Sequence, residues 1–277
     1  MESEFDGVVE FNRMGKSITG SNKAIEIDVL SNFDLIEVFN GLKIDYVINA
    51  IGMIKQVINE RIEGDVLSAR KINSEFLQEL NKFSLTTGTR VLQIGTDCVY
   101  SGKVGNYSED SPFDPIDTYG KSKTVGEQAL TESMLIRCSI IGRELKGSAS
   151  LLEWILSHPI GAEINGFTNH LWNGVTTLQF AEIISGVIKS DAFKKGVIHL
   201  VPSDIVSKYE LIEFIARDFG RDDLKICKFT AESAINRSLV TVDSARNLHM
   251  WQSGGYNKVP SIQEMVSKYA QWTKARN

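Results

Sequence analysis

Cysteine is scarce in this sequence of 277 residues, which contains three of them. Cys98, Cys138 and Cys227 lie far apart, and each is within or beside an apolar segment. An odd number at this spacing argues against a disulfide framework or a zinc site and is typical of reduced cytoplasmic thiols. The four histidines have no ligand-like spacing either, so we expect no metal site.

Long apolar runs and clusters of like charge are also absent. No stretch approaches the roughly 18 apolar residues of a membrane span, and the first four residues, MESE, are acidic where a signal peptide is basic. The formal charge of -5 is spread along the chain without a run of lysine and arginine. We therefore expect a cytoplasmic protein with neither a nucleic-acid nor a membrane partner.

The sequence has enough apolar residues for a large core, at 42% hydrophobic and 23% charged. Short apolar runs alternate with longer helix-like segments in its first half. This pattern predicts strands at residues 8–11, 24–27, 46–50, 91–95 and 134–137, with helices at 33–41, 62–85 and 119–131. Continuous apolar strands alternating with helices indicate an α/β fold with a parallel sheet covered on both faces.

The alternation becomes less regular after residue 139. The pattern there predicts helices at 151–156, 178–189, 208–219 and 261–272, a strand at 196–200 and an extended segment at 224–229. Residues 166–174, GFTNHLWNG, are polar, aromatic and rich in glycine. That composition predicts a loop that presents hydrogen-bonding groups and borders a substrate.

A tyrosine and a lysine lie four residues apart in the predicted helix at 119–131. On a helix, Tyr119 and Lys123 share a face, so the ammonium can stabilise a phenolate whose pKa is otherwise about 10. Thr96 follows the apolar run 91–94 and can hydrogen-bond the same substrate oxygen. The spacing Tyr-x-x-x-Lys also arises by chance, commonly as a surface tyrosine beside a solvated lysine, so its context decides between these interpretations.

That context is an ordered series of motifs. They are DYVINA at residues 45–50, IGTDCVYSG at 94–102, YSEDSPFDP at 107–115 and YGKSK at 119–123. In this order they resemble the extended short-chain dehydrogenase/reductase superfamily, in its dTDP-4-dehydrorhamnose reductase-like, sugar-nucleotide-binding group. The resemblance implies a Rossmann-like, NAD(P)-binding domain at residues 1–145. Residues 146–277 would then form mainly a smaller α/β substrate-binding lobe, with some segments returning to the core.

The resemblance implies NAD(P)H-dependent reduction of a keto group on a nucleotide-diphosphate sugar, for the synthesis of polysaccharides or cell-surface glycans. Tyr119 would protonate the nascent alkoxide, and Thr96 would hold the carbonyl oxygen. Lys123 would lower the Tyr119 pKa and hydrogen-bond the nicotinamide ribose. The partner would be a nucleotide sugar, and a homodimer is compatible with the family.

The resemblance also implies a set of cofactor-binding positions. These are Arg13, Asp28, Val29, Asn49, Ala50, Gly52 and Asn73, together with Tyr119 and Lys123. For three of these residues a purely structural role is the alternative to cofactor binding: Asn49 as a strand-end cap, Asp28 as the N-cap of the next helix, and Asn73 as a surface amide. At the end of the second strand, members of the family that prefer NAD often carry a carboxylate. This chain has Asn12 there, with Arg13 adjacent. We therefore favour NADP, because a guanidinium can pair with the 2′-phosphate.

For the substrate, the resemblance and the composition of residues 166–174 point to five positions. These are Thr96, Asn169, His170, Trp172 and Arg237, the last of them for the diphosphate. The alternatives are loop anchoring for His170 and a surface position for Arg237. Sugar 4,6-dehydratases resemble one another in having glutamate where this chain has Cys98, so dehydration is disfavoured and Cys98 is interpreted as a small hydrophobic residue.

The chain departs from the family in one respect: the glycine-rich phosphate loop after a first strand is not recognisable. The candidate at residues 15–20, GKSITG, has neither the spacing nor a following helix. We expect a sheet that is incomplete at its N-terminal end, from a truncated chain or from a lineage that lost cofactor binding. A nucleotide-sugar epimerase and a non-catalytic binding subunit on the same scaffold are therefore the alternatives to a reductase.

Overall fold

A computed structural model describes residues 7–13, 23–31, 34–144, 147 and 150–276. The first half alternates strands and helices. Its elements are β1 (Glu10–Asn12), β2 (Ala24–Glu26), α1 (Leu35–Val38), β3 (Tyr46–Asn49), α2 (Glu63–Arg70), a π-helical segment (Lys71–Glu75), α3 (Phe76–Thr87), β4 (Arg90–Thr96), α4 (Thr118–Ala129) and β5 (Met134–Cys138).

The second half contains shorter strands between its helices. Its elements are β6 (Ile140–Ile141), α5 (Leu151–Leu156), β7 (Glu163–Phe167), β8 (His170–Trp172), β9 (Val175–Thr176), α6 (Thr177–Lys189), β10 (Gly196–His199), β11 (Val206–Ser207), α7 (Lys208–Phe219), β12 (Lys225–Phe229), β13 (Ile235–Asn236), α8 (Ser244–Ser253) and α9 (Ile262–Lys274). Among the helices described, none combines the length and apolar character needed to cross a membrane.

The central sheet has four parallel strands in the order β10-β5-β4-β3. Leu92 of β4 pairs with Met134 of β5, and Val47 of β3 pairs with Val91 of β4. All five residues of β5 are buried, as expected of a parallel strand covered by helices on both faces. The predicted α/β fold with a parallel sheet is confirmed.

A second, separate sheet consists of the parallel pair β1 and β2. In a doubly wound sheet with strand order 3-2-1-4, a central strand lies between the positions that β1 and β3 hold here. No strand within the described ranges occupies that position, and Ile48 in β3 is 40% exposed. The candidate phosphate loop at residues 15–20 lies outside the described residues.

One buried cluster joins the two halves of the chain. It includes Ile136 of β5, Ile198 of β10 and Trp251 of α8, which are at most 1% exposed. β10 belongs to the sequence that follows residue 145, and it extends the central sheet beside β5. The second half thus contributes both to the core and to the small sheets β11-β8-β13 and β12-β7.

Two sequence predictions about local structure hold only in part. Residues 166–174 are not a continuous loop, because residues 166–167 end β7 and residues 170–172 form β8, which pair with β12 and with β11 and β13 respectively. The alternating burial along β7 is the strand signal that the polar composition concealed. The helix predicted over 62–85 is interrupted by the π-helical segment, which divides it into α2 and α3.

Helix α4 packs unusually close to the π-helical segment at Gly126. A Cβ at this position would overlap the backbone carbonyl oxygen of Asn73. Because that carbonyl cannot swing away as a side chain could, we expect Gly126→Ala to lower the free energy of unfolding by about 1–3 kcal/mol. Urea denaturation of the variant measures this loss.

Gly64 in α2 provides the matched control, since nothing lies within 4 Å of a Cβ built on it. There the intrinsic preference of helices for alanine should operate alone. We expect Gly64→Ala to stabilise the protein by about 0.5–1 kcal/mol. Equal effects of the two substitutions would contradict the close approach of α4 to the π-helical segment.

Candidate active site

The site is built at the carboxyl end of β4, where the chain leaves the central sheet at Thr96. The Thr96 hydroxyl oxygen accepts a hydrogen bond from the Cys98 backbone N–H at 3.2 Å and so caps a 3-10 turn over Asp97–Val99. The backbone N–H of Thr96 donates to Glu127 Oε1 at 3.1 Å. Thr96 is therefore fixed from both sides by the turn and by α4.

Helix α4 begins directly beside this turn. Asp117 is its N-cap and accepts a hydrogen bond from the Gly120 N–H at 2.8 Å, while Lys55 pairs with the same carboxylate at 2.8 Å. A side chain at Gly120 would overlap the Cys98 carbonyl oxygen. The absence of a Cβ there lets the first turn of α4 approach Thr96, which brings Tyr119 to the end of β4.

Tyr119 is half-buried, and burial raises the pKa of its phenol above the usual value. Hydrogen bonding with Thr96 lowers the pKa, whereas the nearby carboxylates of Asp97 and Glu127 raise it further. The Lys123 ammonium lies 6.0 Å from the centre of the Tyr119 ring. Without a bound cofactor Tyr119 is thus held protonated. The lowering of its pKa by Lys123 stays a prediction.

Lys123 is 7% exposed, and burial lowers the pKa of its ammonium while Glu127 raises it. A Cβ at Gly52 would come within 2.7 Å of Lys123 Nζ. The open position at Gly52 therefore makes room for the ammonium at the edge of the site. Lys123 Nζ has no hydrogen-bond or ion-pair partner in the described part of the chain, which leaves its three donors available to a ligand.

Asn73 joins the loop after β3 to helix α4. It is fully buried in the π-helical segment, where its amide bonds both the N–H and the C=O of Met53, at 2.9 and 3.0 Å. It also donates to Ser122 Oγ at 3.0 Å. Such π-helical interruptions are frequent at functional sites, and this one fixes the Gly52 loop next to Lys123.

A buried charged network contacts the site through Glu127. Glu127 accepts hydrogen bonds from Arg137 at 3.2 Å to Nε and 2.6 Å to Nη2, and the two side chains are 2% and 1% exposed. Arg137 also donates to the Tyr100 hydroxyl and lies 2.8 Å from His199 Nε2. Burial lowers the pKa of His199 to about 4, so its ring is neutral beside the guanidinium. Glu127 thereby connects this network to the Thr96 backbone.

Further charged groups lie near Asp97, which follows Thr96 in the chain. Burial raises the pKa of Asp97, while Arg237 and Lys208 lower it. Arg237 is held by a hydrogen bond from its Nε to the Tyr100 carbonyl oxygen at 2.8 Å. Lys208 Nζ lies 5.3 Å from the centre of the Trp172 ring. Arg237 and Trp172, both predicted to bind substrate, are therefore on the side of the site that faces Asp97.

Cys98 is half-buried, and burial raises the pKa of its thiol to about 12. The thiol is accordingly not ionised near neutral pH and is a poor nucleophile. In the part of the chain that is described, no group of three or more His, Cys, Asp or Glu residues could hold a metal ion.

Two of the predicted substrate residues are used to anchor the backbone. Asn169 exchanges two hydrogen bonds with the backbone of Ala231, at 2.8 and 3.0 Å. His170 stacks on Phe167 and its Nε2 lies 3.2 Å from the Ser233 carbonyl oxygen. For His170 this is the loop-anchoring alternative. Their polar groups hold the segment after β12 against β8, so a role in binding substrate stays a prediction.

Some of the predicted cofactor residues also have structural roles. Asn49 is buried and bonds Gln93 Oε1 at 2.7 Å and the Ile51 N–H at 3.0 Å, which makes it a cap at the end of β3. Ala50, directly after it, is exposed. Asn73 is buried rather than a surface amide.

Arg13 and Asp28 meet beyond the ends of β1 and β2, where Arg13 Nε is 3.8 Å from Asp28 Oδ1. Asp28 is not a helix N-cap, because Asp34 holds that position in α1 and Asp28 instead accepts from the Leu30 N–H. Val29 beside it is buried. The side chains of Arg13 and Asp28 are exposed, and neither contacts the group around Thr96 in the contacts that the structure describes.

Asp97 and Lys208 are the site residues that sequence reasoning did not select. Asp97 is adjacent to Thr96, and its burial could not be read from the local pattern. Lys208 follows Ser207 at the start of a predicted helix. A lysine at such a position is normally expected to be solvated. Only the packing of α7 against β8 and β11 brings it to the site.

Comparison with known sequences identifies relatives of this chain. The profile of the RmlD substrate binding domain matches residues 8–273. The spore coat polysaccharide biosynthesis protein SpsK of Bacillus subtilis (strain 168) is 30% identical over 155 residues, which cover 54% of this chain and 53% of that protein. The dTDP-4-dehydrorhamnose reductase of Aggregatibacter actinomycetemcomitans is 24% identical over 193 residues, covering 67% and 65%. The chain thus spans about half to two thirds of these curated relatives.

Solved structures share the fold over nearly the whole chain. The dTDP-4-dehydrorhamnose reductase of Bacillus anthracis str. Ames in complex with NADP has a TM-score of 0.74 at 17% identity, covering 96% of this chain and 99% of that one. MoeE5 in complex with UDP-glucuronic acid and NAD has a TM-score of 0.70 at 17% identity, covering 98% and 92%. The likeness confirms the Rossmann-like fold.

The profile match covers nearly all of the chain, and the motifs that carry the resemblance converge at Thr96, Tyr119 and Lys123. This chain belongs to the RmlD substrate binding domain family, among the dTDP-4-dehydrorhamnose reductase-like members of the extended short-chain dehydrogenases/reductases.

Proposed function

We propose that this chain reduces a keto group on a nucleotide-diphosphate sugar, with NADPH or NADH as reductant, in the synthesis of a polysaccharide. The family consists of NAD(P)-dependent oxidoreductases of nucleotide sugars. The observation that carries the proposal is the place of the Tyr119 phenol, which hydrogen-bonds with Thr96 and whose ring centre lies 6.0 Å from the Lys123 ammonium. A reduction needs such a group, because the alkoxide that forms must receive a proton.

Each residue has a defined part in this reaction. The substrate carbonyl oxygen lies between the hydroxyls of Thr96 and Tyr119, and Thr96 donates a hydrogen bond to it. Tyr119, protonated at neutral pH because burial raises its pKa, transfers its proton to the oxygen as the carbonyl carbon is reduced. Lys123, whose ammonium lies 6.0 Å from the centre of the Tyr119 ring, then stabilises the phenolate.

The residues present fit the two ends of a nicotinamide dinucleotide. The Lys123 ammonium, buried and without a protein acceptor in the described ranges, suits the nicotinamide ribose, and Gly52 beside it leaves space for close approach. Arg13 and Asp28 suit the adenosine end. When bound, the cofactor supplies the hydride. NADP is the cofactor we favour, because Arg13 can pair with a 2′-phosphate.

The test is a spectrophotometric assay with dTDP-4-dehydrorhamnose as the keto sugar. We expect the chain to oxidise NADPH in proportion to the sugar added, with a lower KM for NADPH than for NADH. An epimerase with the same residues would convert the sugar without net consumption of NADPH. NADPH binding without oxidation in the presence of the keto sugar would contradict the proposed reduction.

A non-catalytic binding subunit is the second candidate. The observation that favours it is the separation of the sheet β1-β2 from the central sheet, with no glycine-rich phosphate loop in the residues that the structure describes. Such a subunit would use the scaffold to bind another protein. Isothermal titration calorimetry with NADPH separates the two candidates, since the reductase binds NADPH and the subunit does not.

Gly52 lies next to Lys123, so a substitution at Gly52 should lower the activity of the protein without lowering its stability. An alanine Cβ would meet Lys123 Nζ, the end of a flexible side chain, so the ammonium should move while the fold stays intact. We expect Gly52→Ala to lower kcat by roughly 10- to 100-fold, as small displacements of catalytic groups do. Steady-state kinetics and thermal unfolding measure the two effects.

Gly64→Ala is again the matched control, because it adds the same methyl group where nothing is contacted. Its kcat should equal that of the unaltered protein. An unchanged kcat in Gly52→Ala would show that the position of the Lys123 ammonium does not limit the reaction.

A further inference from the structure

Glu127 contacts two different groups through its two carboxylate oxygens. Oε1 accepts a hydrogen bond from the Thr96 backbone N–H at 3.1 Å. Oε2 accepts from Arg137 Nε and Nη2, at 3.2 and 2.6 Å. The Glu127 side chain is almost fully buried, so its charge needs the compensation that Arg137 supplies. One oxygen thus completes the ion pair, while the other holds the last residue of β4.

Gly95, directly before Thr96, leaves room for this second contact. A Cβ on Gly95 would lie 3.1 Å from Glu127 Oε1 and 3.1 Å from the Arg137 Cα. The Arg137 Cα is part of β5, the buried neighbour of β4, and it could not move aside as a flexible side chain could. The absence of a side chain at Gly95 therefore allows the Glu127 carboxylate to reach the Thr96 N–H.

Glu127 is on the same helix as the proposed proton donor. Tyr119, Lys123 and Glu127 are four residues apart in α4, so they share one face of the helix. Gly120 lets the first turn of α4 approach the turn that follows β4. About two turns later, Glu127 joins the same helix to Thr96. One rigid element therefore carries Tyr119 and also holds its proposed partner at the substrate oxygen.

We propose that Glu127 is a positioning residue for the reduction. Its Oε1 fixes the Thr96 peptide, and with it the Thr96 hydroxyl, in the place relative to Tyr119 that the reaction requires. The inference rests on the proposed function for the roles of Thr96 and Tyr119. Glu127 acts through Thr96 and not on the substrate, because protein donors occupy both of its carboxylate oxygens.

The acceptor at residue 127 determines where the end of β4 stays. A backbone N–H that loses its partner inside a protein turns towards another acceptor or lowers stability. Rotation of the peptide between Gly95 and Thr96 would carry the Thr96 hydroxyl with it. A displacement of about 1 Å can lower the rate of a reaction by roughly 10²-fold. Turnover should therefore depend on the acceptor, whereas the ion pair with Arg137 should matter mainly for stability.

Two double variants separate the acceptor from the ion pair. Both contain Arg137→Met, and both remove the charge at residue 127, so that no half of the pair remains buried alone. Glu127→Gln keeps an oxygen that can accept from the Thr96 N–H, whereas Glu127→Met has a side chain of similar length without one. A purely structural role of the pair would make the turnover of the two variants follow their stability.

The NADPH oxidation assay with dTDP-4-dehydrorhamnose compares these variants at a temperature at which thermal unfolding curves show both to be folded. We expect the glutamine variant to keep kcat within about threefold of the unaltered protein, and the methionine variant to lose about 10- to 100-fold. The KM for NADPH should change by less than about threefold in both, because Lys123 is unaltered. A similar kcat in the two variants, whether high or low, would overturn the proposal.

Hydrogen exchange of the Thr96 amide, followed by NMR, tests the contact without turnover. We expect this amide to exchange at least about tenfold more slowly with glutamate or glutamine at residue 127 than with methionine. Exchange in the unaltered protein as fast as that of an unprotected amide would overturn the proposal even if the variants do not fold. A chain that does not oxidise NADPH would contradict the proposed function, and the exchange rates would then decide alone whether Glu127 positions Thr96.

Discussion

In the Tyr119→Phe variant we expect kcat for keto reduction to fall by about 10²–10⁴-fold, the usual contribution of a general acid. The substitution removes the phenolic hydroxyl and with it the hydrogen bond to Thr96, while the aromatic ring stays in place. The KM for the cofactor should stay within about threefold, since Lys123 remains in place to bind it. Stopped-flow measurement of NADPH oxidation under single-turnover conditions isolates this step.

Tyr46→Phe is the matched control for this prediction. Tyr46 lies at the opposite end of the sheet, at the start of β3, where its hydroxyl interacts with Arg90 and Asp191. It loses the same atom far from the site, so kcat should not change. Turnover in Tyr119→Phe equal to that of Tyr46→Phe would remove Tyr119 from the reaction.

In the Arg137→Met variant we expect the free energy of unfolding to fall by about 3–5 kcal/mol. Arg137 and Glu127 are almost fully buried, and their Nη2–Oε2 distance is 2.6 Å. Removing the guanidinium leaves the Glu127 carboxylate buried without its partner, beside the neutral His199. Urea denaturation followed by circular dichroism measures the loss.

Two further variants separate the cost of an unpaired charge from the loss of the pair itself. The exposed pair Lys225–Glu163 has a similar distance, 2.6 Å, yet its side chains are 70% and 57% exposed. Lys225→Ala should therefore change stability by at most about 1 kcal/mol. The double variant Glu127→Gln, Arg137→Met should recover part of the loss. Equal losses for Arg137→Met and Lys225→Ala would contradict the buried network.

Much of the secondary structure could be predicted because local signals coincide with the elements. The predicted helices at 151–156 and 208–219 have the same bounds in the structure, where Ser150 and Ser207 cap them and Gly220 ends the second with a φ of 76°. Apolar runs likewise located the strands of the central sheet to within a residue or two. These features depend on neighbouring residues, which a sequence shows directly.

The predictions that needed correction depend on distant residues. Residues 166–167 and 170–172 lie in strands because β12, β11 and β13, all later in the chain, pair with them. The π-helical interruption arises where Asn73 bonds Met53 and Ser122 on two other segments. Neither arrangement has a signature in a local window of sequence.

In the candidate site, too, some residues could be selected from the sequence and others could not. Thr96, Tyr119 and Lys123 could be selected because their motifs resemble those of a known family, and packing at Gly120 brings them together. Lys208 could not be selected, since its place beside Trp172 depends on β8, β11 and α7 folding into one unit. Its partial burial is a property of the tertiary structure.

The residues around Tyr119 are proposed to reduce a keto sugar. The most direct measurement is mass spectrometry of the sugar product after incubation of the chain with dTDP-4-dehydrorhamnose and NADPH deuterated at nicotinamide carbon 4, both isomers being used in parallel. We expect a reduced sugar that is heavier by a single deuterium with one of the two isomers. A product without deuterium from either isomer, or recovery of the keto sugar unchanged, would contradict it.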